Sequence, residues 1–147
     1  MTEARTMTFK MKIDGIKIIN FSQSNLELEF NKENKPKIEF QTDFQFAVFP
    51  EDSKLGCLLT IKVLLPELKE EFAELKAEFT FKIKPFNEII IDNGKDKVDI
   101  PDALMHNLAS ISISSARGIL YEKLRGTALQ NEIFPLVNPV DLFGEKK

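Results

Sequence analysis

The stretch "LPELKEEFAELKAEFTFKIK", residues 65–84, decides the fold class because it carries two conflicting periodicities. In its first half, apolar residues recur at helical spacing. The second half alternates apolar and polar residues with period two, and the closing "FTFKIK" fits no helical face. Because the period-two pattern is the longer one, it predicts a strand from Phe72 to Lys84, with residues 66–71 as the preceding hairpin connection.

Three more strands are predicted upstream of this one. Residues 7–21 alternate with a change of parity near Gly15, which predicts one strand interrupted by a β-bulge. Residues 55–65 form a long apolar strand after a turn at Pro50. Residues 37–48 alternate strictly, which is typical of a strand with one buried face. The apolar face of that strand contains Ile38, Phe40, Phe44, Phe46 and Val48.

A long helix is predicted to follow the strands. Asp99 and Asp102, with Pro101 between them, favour a helix start, and Gly126 favours its end. The expected fold class is therefore α+β: a four-stranded antiparallel sheet followed by a long helix and a short C-terminal helix or loop. The length of 147 residues predicts a single domain spanning residues 1–147.

One face of the predicted helix has almost no side-chain bulk, because Ser110, Ser114 and Gly118 recur at a spacing of four. Such a face lets another backbone approach closely. The partner is either the chain's own sheet or the helix of a second copy, and the sequence leaves both readings open. Gly118 costs about 1 kcal/mol relative to alanine within a helix, which suggests a compensating contact.

Composition excludes several classes of function. A net charge of −3 gives no reason to expect nucleic-acid binding, which needs a concentrated basic surface. No apolar run reaches the length of a membrane span, and residues 1–6 show no signal-peptide pattern. A single cysteine, Cys57, cannot form an internal disulfide, so we expect a cytosolic (cytoplasmic) protein.

The sequence offers no recognisable catalytic or metal-binding motif. His106 is the sole histidine, and zinc-ligand spacings such as HExxH or CxxC are absent. Cys57 is expected to be a buried structural thiol, and the glycines form no phosphate-binding loop. We therefore expect a protein that is not an enzyme and that needs no cofactor or metal.

The C-terminal stretch "LRGTALQNEIFPLVNPVDLF", residues 124–143, is nearly uncharged, rich in apolar residues and without a clear period. It has two readings: it seals one end of the core, or it forms one wall of a groove that accepts extended apolar segments. The composition, with 13 Phe but no Trp, is a hint of exposed apolar surface.

Two segments resemble the SecB family of chaperones. The family's long helix contains Ala-Arg and ends with Arg-Gly-Thr before an apolar C-terminal segment, and the chain has "SARGILYEKLRGTALQNEIFPLVNPVDLF" at residues 115–143. The N-terminal "MTFKMKIDGIKIINFS", residues 7–22, is similar to the family's first strand. The predicted order of four strands and a helix also agrees, so the resemblance covers essentially the whole chain.

The resemblance implies an ATP-independent chaperone, a holdase that keeps clients such as preproteins unfolded in apolar grooves. It also implies a homo-tetramer, a dimer of dimers formed partly through the long helices, which would give Ser110, Ser114 and Gly118 a partner. The client-binding residues that it implies are Ile38, Phe40, Phe44, Phe134, Leu136, Val137 and Phe143.

Departures from the family pattern affect the expected partners. Export members dock the motor SecA through acidic residues on the outer sheet face, where this chain aligns Ile18, Ser22 and Cys57. The resemblance therefore does not imply SecA docking. Divergent SecB-like chaperones hold the antitoxin of a toxin-antitoxin system, so a dedicated antitoxin partner is the alternative function.

Overall fold

A four-stranded antiparallel sheet dominates the computed structural model, which describes residues 10–24, 37–92 and 98–135. The strands are β1 (Lys10–Gln23), β2 (Glu39–Phe49), β3 (Lys54–Leu65) and β4 (Glu70–Lys84). Their order across the sheet is β1-β4-β3-β2, so β3 and β4 are central and β1 and β2 lie at the edges. The predicted α+β architecture is confirmed.

Strand β4 resolves the conflict between the two periodicities. All its alternate apolar residues from Ala73 to Ile83 are buried on one face of the sheet. Leu68, which the helical pattern would have buried, lies in a 3₁₀ turn and is 48% exposed. Lys69 then adopts a left-handed conformation with φ of 54°, which reverses the chain into β4.

Strand β1 contains the predicted bulge and a second one. The register against β4 shifts between Ile13 and Gly15, where parity changes in the sequence, and again between Ile18 and Asn20. The bulges keep Ile13 and Ile16 on the same face, opposite Phe81 and Phe79 of β4. The apolar face of β1 is therefore continuous with that of β4.

Short elements connect the sheet to the long helix. They are α1 (Phe86–Ile89), β5 (Ile91–Asp92) and β6 (Val98–Asp99), which the sequence analysis did not resolve. The long helix α2 runs over Asp102–Lys123, and the Pro101 carbonyl accepts its first hydrogen bond, from the Met105 N–H at 3.0 Å. The expected start at Asp99 was thus too early, because Asp99 belongs to β6.

Helix α2 packs on the two central strands. Its buried residues include Leu104, Leu108, Ile113 and Leu120, and they meet β3 and β4 side chains that are at most 2% exposed. One helix is about 10 Å wide, about twice the spacing between strands, so it covers two strands well. The same face of the edge strands β1 and β2 is consequently less well covered.

Small residues lie on two different faces of α2, one buried and one exposed. Ser112 and Ala116, two further small residues of the helix, are buried against the chain's own strands. Ser110, Ser114 and Gly118 are exposed, and a Cβ added at Gly118 would meet no atom of the described part of the chain within 4 Å. The intramolecular reading is therefore wrong for these three predicted interface residues.

Candidate apolar groove

An apolar row runs along β2 on the side of the sheet that faces the helix. The register pairs Phe40 with Val63, Phe44 with Leu59 and Phe46 with Cys57. These β3 residues are at most 1% exposed, whereas the β2 phenylalanines are only half-buried. The row comprises Ile38, Phe40, Phe44, Phe46 and Val48, with Thr42 as its polar interruption.

Edge-to-face contacts hold the rings of this row. Phe44 and Phe46 lie with centroids 5.0 Å apart and planes at 74°. Phe40 meets Phe134 of the C-terminal segment at 5.3 Å and 81°. Edge-to-face geometry is the favoured arrangement for aromatic pairs, so the rings are fixed in place while part of each remains accessible.

The C-terminal segment, residues 124–135, is attached to α2 and runs toward β2. The Arg117 guanidinium donates from Nε to the Phe134 carbonyl at 2.9 Å and from an Nη to the Pro135 carbonyl at 3.2 Å. Leu124 and Leu129 are fully buried, and the Thr127 hydroxyl donates to the Leu124 carbonyl at 2.7 Å. These contacts bring Phe134 against Phe40.

The predicted client-binding residues fall into three groups. Ile38, Phe40 and Phe44 lie together on β2 and are partly accessible. Phe134 is only 3% exposed, so its ring is part of the core, where it contacts Phe40. The remaining three lie outside the described residues: Leu136, Val137 and Phe143.

A second apolar strip on β1 was not identified from the sequence. Ile13, Ile16 and Ile18 are 41%, 52% and 42% exposed, although they lie on the helix side of the sheet. Their alternation was visible in the sequence, but their exposure depends on which strands the helix covers. The strip and the β2 row thus flank the helix on opposite edges of the sheet.

The side chains of the β2 row are apolar apart from Thr42. The side chains of the row carry no titratable group, and burial raises the pKa of the neighbouring Cys57 thiol to about 12, a rise that the Ser112 hydroxyl opposes. The thiol therefore stays protonated and unreactive. No cluster of three potential metal ligands occurs among the described residues.

The structure corrects the placement of two residues aligned with SecA-docking positions. Cys57 is buried on the helix side of β3, and Ile18 pairs with Ala77 on the same side. Ser22, opposite Glu74, does lie on the outer face. The identities of Ile18 and Cys57 therefore carry no information about the charge of the outer face.

None of the helices in the described part of the chain is long and apolar enough to span a bilayer.

Comparison with known proteins relates the fold to a known class. No protein-family model matches the sequence, and no curated protein matches it. Among solved structures, the chain is similar to a SecB-like chaperone of Mycobacterium tuberculosis in complex with a ChAD peptide from the HigA1 antitoxin. The TM-score is 0.54 at 10% identity, covering 87% of this chain and 86% of that one.

A protein of unknown function from Streptococcus agalactiae also matches, with a TM-score of 0.47 and 16% identity over 89% of this chain and 99% of that one. At 10% identity, the likeness to the mycobacterial chaperone concerns the fold alone. The four-stranded antiparallel sheet and the long helix agree with the mycobacterial chaperone. The chain therefore has a SecB-like fold.

Proposed function

We propose that this protein is an ATP-independent holdase of the cytosol that binds unfolded or nascent polypeptides along β2. The observation that carries the proposal is the row of half-buried phenylalanines on an edge strand, fixed by Phe134 and flanked by helix α2. A folded protein seldom leaves such a row of rings accessible unless another chain covers them.

The physics of the row suits a binder of low sequence selectivity. Apolar burial is non-directional and contributes about 25 cal/mol per Å² of surface removed from water. A client that covers two or three rings gains a few kcal/mol, and a long client that reaches several copies of the row gains avidity. Neither step requires nucleotide hydrolysis, which agrees with a holdase.

The proposal is tested by diluting a chemically unfolded client into buffer with and without the protein, in the absence of nucleotide, and following light scattering. We expect scattering to fall in proportion to the amount of protein added, for several unrelated clients. If scattering is unchanged for every client at a severalfold molar excess of the protein, a general holdase function is ruled out.

A narrower function is the second candidate: a dedicated partner for one client, such as the antitoxin of a toxin-antitoxin system. It is favoured by the mycobacterial structure with the same fold, which holds an antitoxin peptide. The two candidates differ in client range. Suppression of aggregation for one protein encoded beside this gene, and for none of several unrelated clients, would favour the dedicated partner.

We also propose that the protein assembles as a homo-tetramer. Ser110, Ser114 and Gly118 form an exposed helix face without bulk, which lets a second helix approach closely. The exposed isoleucines of β1 add apolar area near that helix. Both features leave surface available to further copies of the chain.

Replacing Gly118 with leucine is expected to break the tetramer into smaller species. A Cβ added at this position meets no atom of the described residues within 4 Å, so the fold should tolerate the substitution, and helix propensity should improve by roughly 1 kcal/mol. The same side chain would separate two helices that pack closely. Light scattering coupled to size exclusion measures the mass, and Gly118→Ala serves as the matched control. An unchanged mass for Gly118→Leu would contradict this helix interface.

A further inference from the structure

Four lysines are concentrated at one end of the outer face of the sheet, the face turned away from α2. The register of β1 against β4 places Lys10 directly opposite Lys84 and Lys12 directly opposite Lys82. All four side chains are exposed, and they border an open concavity of about 540 Å³. We refer to these four residues as the lysine corner.

No described ion pair includes a residue of the lysine corner. The described ion pairs join Lys54 to Asp14 at 2.7 Å and Lys62 to Glu71 at 3.9 Å. The hydrogen bond to Lys54 holds the pKa of Asp14 below its usual range, and the charges of Lys82 and Lys12 lower it further by a smaller amount. The single charge of Asp14 is therefore shared with Lys54 and offsets the four charges of the corner only in part.

Two other lysines of the outer face stand opposite carboxylates, whereas Lys54 of β3, which is ion-paired with Asp14, stands opposite Lys82. Lys17 pairs with Glu78 across β1 and β4, and Lys62 pairs with Glu74 across β3 and β4. Directly opposed like charges destabilise a strand pair, so two such pairs in succession are unfavourable for folding alone. The lysine corner thus departs from the charge pattern of its own sheet in a protein with net charge −3.

The spacing of the corner fits an extended polypeptide. Alternate residues of a strand are about 6.4–6.8 Å apart, and opposite residues on paired strands are about 4.5–5.5 Å apart. A second extended chain presents its own alternate side chains with the same repeat. We infer that the lysine corner docks an extended acidic segment of a partner protein, one with carboxylates at alternate positions.

Nucleic acid fits the site less well. A phosphate backbone demands a basic track along several nucleotides, whereas the corner is bounded by Asp14 and, along β4, by Glu78. An acidic peptide needs only a few charge-assisted hydrogen bonds at this place. The site lies on the opposite face of the sheet from the β2 row, so its partner would not compete with a client.

The test measures binding of a fluorescent peptide of alternating glutamate and threonine to the full chain by anisotropy. We expect Lys82→Gln/Lys84→Gln to weaken binding by about fivefold or more at low salt, and added salt to weaken the unmodified protein similarly. Lys62→Gln/Lys76→Gln is the matched control on the same face and should bind within about twofold of the unmodified protein. The thermal midpoint of the corner variant should be unchanged or raised, since it relieves repulsion.

Three results would overturn the inference: no binding of the acidic peptide to the unmodified protein, equal weakening by the control variant, or tighter binding of single-stranded DNA than of the peptide. Aggregation suppression by the corner variant should equal that of the unmodified protein. This readout separates the corner from the holdase proposal, because either one can fail while the other holds.

Discussion

A variant in which Phe40 and Phe44 are both replaced with threonine is expected to lose most of its ability to suppress aggregation. Each ring offers apolar surface to a client, and losing both should cost about 2 kcal/mol of binding free energy, roughly thirtyfold in affinity. Threonine keeps the β propensity of the strand. The measurement is light scattering of an unfolded client at increasing concentrations of each protein.

The double variant needs a control for stability, because half-buried rings also contribute to folding. We expect it to lose about 1–2 kcal/mol per ring in the free energy of unfolding, so the assay must run where urea titration shows it folded. Gln41→Thr/Gln45→Thr alters the opposite face of the same strand and should retain full activity. Undiminished suppression by the phenylalanine variant would refute the β2 assignment.

Replacing Phe79 with alanine is expected to lower the free energy of unfolding by about 3–5 kcal/mol, since its ring is fully buried between the sheet and the helix. For a chain of this size the thermal midpoint should fall by about 10 °C. Circular dichroism during heating and urea titration measure both quantities.

Leu68→Ala is the matched control for the Phe79 variant, because the helical reading of residues 65–79 places both side chains on one buried face. In the structure Leu68 lies in an exposed turn, so its replacement should change stability by no more than about 0.5 kcal/mol. Comparable losses in the free energy of unfolding for the two variants would contradict the assignment of Phe79 to strand β4.

The strands predicted correctly from the sequence are those in which the period-two pattern is the longest one present. Strand β2 alternates strictly over residues 37–48, and its apolar face was identified in full. In β4 the period-two pattern outweighed the helical one, because only a strand accounts for "FTFKIK". The bulge near Gly15 was also predicted, since a bulge shifts the parity of every residue that follows.

The exposed fraction of a strand side chain could not be predicted from these periodicities, because it depends on which strands α2 covers. The isoleucines of β1 alternate as core residues do, yet they remain exposed because the helix packs on β3 and β4. Phe134 shows the reverse case. It looked like a binding residue in an aperiodic segment, but the hydrogen bonds from Arg117 hold its backbone where the ring is buried.

The sequence left two roles open for the C-terminal stretch, sealing the core or forming a groove wall, and the two do not exclude each other. Over residues 124–134 it seals the core, since Leu124, Leu129 and Phe134 are buried. By packing against Phe40, the same segment also holds a ring of the β2 row in position. One segment can therefore both seal the core and support the surface that we propose to bind clients.

The most direct test of the β2 surface is photo-crosslinking from two adjacent positions of the strand. Benzoylphenylalanine in place of Phe44 projects from the helix side of the sheet, and in place of Gln45 from the outer side. With an unfolded client present, we predict strong crosslinks from position 44 and few from position 45. Equal crosslinking from both positions, or stronger crosslinking from position 45, would contradict the account.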